Sequence, residues 1–185
     1  RDMLRITLIH EAAHGHDFQH YPHLDVQRRD RKTNEGVQAI GAVIEGHAQY
    51  VAAKIAKKLG LETAFGQLVE LTVAAPPTES AAAKVLMDVT LAEQRFAYVG
   101  GQKFFEAVYA ARGEAGVRAV MNDPPAHVRL IEQPEAYLNP SAARHKIDAN
   151  AVFAPLITWS TEQARRVSKF PFKRSQLDAV FNMLP

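Results

Sequence analysis

Apolar residues in the first segment, residues 2 to about 18, fall at Met3, Leu4, Ile6, Leu8, Ile9, Ala12, Ala13 and Phe18. That is denser than one stripe of a surface helix and predicts a buried helix. A polar stretch from His20 to Thr33, with Pro22 and several basic residues, reads as a loop. Asn34 can then cap a second long helix that carries Val37, Ile40, Ile44, Ala48, Val51 and Ile55 to a stop at Gly60. A shorter helix follows from Glu62 to about Leu71, ended by Pro76-Pro77. Thr78 offers an N-cap to a further helical stretch reaching about Arg112, with a kink or break expected at Gly100-Gly101. Glu114 to Met121 forms a brief helix closed by Asp123-Pro124-Pro125.

Beyond Pro134 the helical pattern is interrupted by Pro140, Pro155 and Pro171, with Gln176 to Met183 as a last short helix. No strand alternation, internal repeat or low-complexity tract stands out. The pattern predicts a mainly α protein: one helical domain over 1–139 and an irregular C-terminal extension over 140–185, packed on it. A chain of 185 residues is long enough for one well-buried core.

Composition narrows the chemistry. Cysteine is absent, so a transition metal must be held by His, Asp and Glu. The net charge of +2 is too small to imply a nucleic-acid partner, and the two basic clusters read as solvated faces. No apolar run approaches a transmembrane length. The chain opens at Arg1, almost inside a helical pattern, which suggests a fragment of a longer protein.

His10-Glu11-Ala12-Ala13-His14 changes the picture most. Residues four apart share a helix face, so His10 and His14 can present two imidazole nitrogens to one ion. Glu11 stands where its carboxylate can reach a water on that ion and act as general base. Such a zinc site needs a third protein ligand, and two residues compete for the place. His20 falls at the last position of an HExxHxxGxxH pattern, but Asp17 occupies the glycine position at which the helix would have to turn. Glu45 lies mid-helix between small residues, in Gly41 to Ala48, where a close approach of the first helix would bring it to the metal. A carboxylate in so apolar a stretch calls for a partner, which makes Glu45 the stronger candidate. Gln49, one turn on, could hydrogen-bond a ligand histidine, whereas His47 points elsewhere and reads as structural. His16 and His23 read as surface residues.

These blocks resemble a family of predicted zinc metalloproteases of gluzincin type. The resemblance runs from His10 to Tyr137. It comprises the HEAAHGHDFQH segment and Glu45-Gly46-His47-Ala48. It continues through Tyr98, Gly101 and Tyr109, Asp123-Pro124-Pro125, and Pro134-Glu135-Ala136-Tyr137. The chain departs from the family at Ala126 to Leu130 and at Gln133. By resemblance the metal is Zn²⁺, its ligands are His10, His14 and Glu45, and the catalytic base is Glu11. Tyr98 or His127 would stabilise the oxyanion. The resemblance implies a zincin-like helical domain that cleaves a peptide or protein substrate, in a family whose members are often exported. The alternatives are a metal-binding domain without turnover, since an upstream edge strand to align substrate is missing, and a helical interaction module without metal.

Overall fold

The computed structural model describes residues 1–30, 33–76 and 80–140. All of these lie in the first of two compact units, Arg1–Ala143, and none lies in the second, Arg144–Pro185. The cap expected at Thr78 and the helix expected over Gln176 to Met183 therefore fall outside the described residues, as do Pro77 and the extension beyond Pro140.

The fold is helical, with no strand among the described residues. In chain order it comprises α1 (Asp2–His20), α2 (His23–Asp30), α3 (Asn34–Leu59), α4 (Glu62–Thr72) and α5 (Ala81–Arg95). A π-helical segment (Phe96–Gly100) leads into α6 (Gly101–Asn122), then α7 (Val128–Glu132) and α8 (Pro134–Leu138). No helix among the described residues is long and apolar enough to cross a membrane.

α3 is the central element and packs against α1, α2, α4, α6, α7 and the π segment. Surrounded in this way, it buries most of its circumference, including Ile40, Val43, Ile44 and Tyr50. These residues form the main core with Phe104, Phe105 and Val108 of α6, Leu24 of α2 and Ile131 of α7. A smaller cluster, Ile6, Ala56 and Leu61, joins α1 to the α3–α4 corner. Thr33, one residue before the expected cap, accepts a hydrogen bond from the Gly36 amide at 3.1 Å and starts the helix. Gly60 ends it in the left-handed conformation, φ 65°, which costs glycine nothing.

Three expectations change. The loop over His20 to Thr33 contains α2, anchored by fully buried Leu24 and by an Asp25–Arg29 pair one turn apart. α1 is a one-sided helix: it buries Ile6, His10, Ala13 and Asp17 and leaves Leu4, Leu8 and Phe18 exposed. Its apolar residues are spread round the helix, so their density did not identify the inner face. The kink or break expected at Gly100-Gly101 takes the form of a π-to-α junction rather than a break, with both residues at helical angles. There Gly101 meets Gly46 of α3, and a Cβ on Gly101 would stand 2.7 Å from the Gly46 Cα and overlap the Ala42 carbonyl oxygen. The small residues beside Glu45 thus admit the π–α6 junction rather than α1. Gly15 of α1, by contrast, has nothing within 4 Å of where its Cβ would be.

The real discontinuity is at Gly113, φ 61° and ψ −157°, which divides α6 into two helical pieces as the sequence had implied. This is a region essentially reserved for glycine. Gly113→Ala should therefore destabilise the fold by about 1–3 kcal/mol. A urea unfolding midpoint equal to that of the wild type would show that α6 can straighten at no cost.

Candidate metal centre

α1 and α3 lie side by side, and the buried stripe of α1 (Ile6, His10, Ala13, Asp17) faces α3. The three-and-four spacing that creates this stripe also places His10 and His14 over Glu45, at the middle of α3. His10 Nε2 and His14 Nε2 are 3.0 Å apart. Glu45 Oε2 is 3.4 Å from the first and 3.3 Å from the second. Among the described residues these three form a group able to hold one ion.

The triangle fits a metal on its dimensions. Donor atoms at about 2.0–2.1 Å from a tetrahedral zinc stand about 3.3–3.4 Å from one another. Three lone-pair atoms this close repel unless a proton or a cation lies between them. Glu45 Oε2 and His14 Nδ1 are also the buried side-chain polar atoms without a hydrogen bond among the described residues. Two imidazoles and a carboxylate are a donor set that suits zinc.

Electrostatics at the site are dominated by Glu45. Burial opposes its ionised form. The adjacent His10 and His14 imidazoles, with a smaller contribution from the Tyr98 hydroxyl, outweigh that and hold the carboxyl well below the usual carboxylate range. Burial likewise opposes a charged His14. Contact with Glu45 prevails, helped by the charges of Glu11 and Asp17, and raises His14 above its ordinary value. Burial, then the Glu45 charge, push Tyr98 up to about 12, so its hydroxyl stays protonated.

A metal must displace protons from imidazole nitrogens, so its affinity should be level at alkaline pH and fall as pH drops through the raised His14 pKa. The expected slope is about tenfold per unit once His14 titrates. Glu45 remains ionised throughout and contributes nothing to it. A zinc competition titration between about pH 8 and about pH 5.5 measures this; a flat profile would mean that His14 is not a ligand.

Tyr98 comes from the π segment, and its ring stacks on His10 with centroids 5.8 Å apart. Glu11, exposed on α1, borders a cleft of about 140 Å³ beside the triangle. Thr7 and His10 of α1, Gln49 of α3, Leu68 and Thr72 of α4, and Tyr98 complete its walls.

Other expected residues sit elsewhere. α1 continues through Asp17, and His20 remains exposed, its ring 4.0 Å from His16 and its Nδ1 on the His16 carbonyl oxygen. His127 is exposed and pairs with Glu35 at the start of α3, 3.3 Å away and three turns from Glu45. Gln49 lines the cleft without bonding either ligand histidine. His23 is partly buried, with Nε2 2.9 Å from the Met121 carbonyl oxygen, so it joins α2 to α6 rather than facing solvent.

His47 has the structural place expected of it, and its partner was not foreseen. Its Nδ1 is 2.7 Å from Oδ2 of Asp17, which is 2% exposed. The pair joins α1 to α3 one turn beyond the triangle. The signal was present in the spacing of Asp17 with Ile6, His10 and Ala13, and was obscured because a buried stripe is sought among apolar residues. No protein-family model, curated protein or solved structure matches this chain.

Proposed function

We propose that the chain is a zinc-dependent hydrolase, a metallopeptidase of the gluzincin type that its sequence blocks resemble. The observation that carries this reading is the His10–His14–Glu45 triangle, with edges of 3.0 to 3.4 Å, opening beside a cleft that contains Glu11. His10, His14 and Glu45 would hold a zinc ion there, which would supply Lewis acidity to the reaction. Glu11 accepts the proton of the attacking water and returns it to the leaving amine. Its exposure at the cleft, next to His10 in the chain, suits that shuttle. Tyr98 steadies two ligands at once, by stacking on His10 and by contact with Glu45. Its hydroxyl stays protonated and borders the cleft, where it can donate to a developing oxyanion.

The direct test is the metal content of protein purified without added zinc, followed by titration with zinc. The reading expects about one zinc per chain, removable by chelator. Protein that takes up no zinc would instead favour a helical interaction module.

A further inference from the structure

We propose that Gln49 is the substrate-binding amide of the cleft and pairs with the backbone peptide group of an extended substrate. The inference rests on the hydrolase reading and names the chemistry that the same site would recognise. Gln49 lies one turn after Glu45 on α3, which points both side chains to the same side of the helix. It is 5% exposed and lines the cleft with Glu11 and Tyr98. Its carboxamide makes no hydrogen bond to any described residue, and its polar atoms are not among the fully buried ones, so they open to the cleft.

The cleft's other neutral polar groups are already engaged. The Thr7 hydroxyl donates to the Met3 carbonyl at 3.1 Å, and the Thr72 hydroxyl to the Leu68 carbonyl at 2.9 Å. Tyr98 interacts with Glu45. Gln49 is thus the wall residue that offers both N–H donors and a carbonyl acceptor to an incoming molecule. A peptide group presents the complementary set, one N–H and one C=O. The Glu11 carboxylate disfavours an anionic ligand, and Leu68 supplies an apolar wall suited to a side chain.

Binding of N-acetyl-trialanine amide, followed by calorimetry on zinc-loaded and metal-free protein, tests this. Gln49→Met should weaken that binding by about tenfold. Zinc affinity should not change, and the melting temperature should hold. Gln49→Glu, which replaces both donors with a second acceptor oxygen, should show a similar loss and covers the case in which the methionine variant does not fold. Unchanged peptide affinity in either folded variant overturns the proposal. So does a wild type that ignores the peptide at millimolar concentration, or a lowered melting temperature with reduced zinc affinity, which would mark Gln49 as structural. Zinc uptake by the wild type is read separately. Its failure defeats the hydrolase reading, and the ratio of peptide affinities in metal-free protein still judges Gln49.

Discussion

Glu45→Ala is expected to weaken zinc binding by at least about 100-fold, because altering groups that merely support a ligand already costs 10–100-fold. The carboxylate contributes a donor atom and the negative charge that partly offsets the ion's own. It is also held ionised by its neighbours, so no proton needs to leave before it coordinates. Glu45→Gln separates these contributions: it keeps the shape, removes the charge, and should fall between wild type and alanine. Competition with a chromophoric chelator gives the affinities, and circular dichroism checks that the helices persist. Wild-type affinity in Glu45→Ala would remove Glu45 from the site and reopen the question of a third ligand.

Hydrolysis of a casein-type substrate should drop by about 10²–10⁴-fold in Glu11→Gln, with zinc affinity unchanged. The amide preserves the size of the side chain and cannot take a proton from the attacking water. Glu11 is exposed and makes no contact that holds the fold together, so the substitution should be silent in thermal melts. The split between turnover and metal binding is what identifies a proton shuttle. Chelator-sensitive cleavage that survives Glu11→Gln would sink the mechanism while leaving the metal site standing. Zinc binding without any cleavage by the wild type would point to a metal-holding domain that does not turn over.

Much of the architecture was legible because it is encoded locally. α3 announces itself through its apolar period, a cap at its start and Gly60 at its end, and α4 and the Gly113 division follow from similar signals. The triangle was legible for the same reason: His10 and His14 need only one helix turn, and a lone carboxylate among Ala42, Val43 and Ile44 needs a partner. What the chain did not disclose depends on which helix meets which. The inner face of α1 is set by Ile6, His10, Ala13 and the Asp17–His47 pair, not by the number of leucines. Gly46 and Gly101 are 55 positions apart, and neither signals the other. α2 is short and polar, tied to the rest of the fold by Leu24 in the core and by His23 on the Met121 carbonyl. The wall that α4 gives to the cleft, Leu68 and Thr72, carries no motif at all.

The Asp17–His47 pair has a kinetic implication. It clasps α1 to α3, the Gly46–Gly101 crossing seats α6 against α3, and Phe104 and Phe105 fill the space between. None of these contacts uses the side chains of His10, His14 or Glu45. Small zinc modules that fold only around their ion must assemble the whole chain at each capture. At the proposed zinc site the scaffold that aims the donors is secured independently, so loading and release would be local events, limited by access through the cleft and the shedding of water. Ions could exchange at such a site many times within the lifetime of one folded molecule.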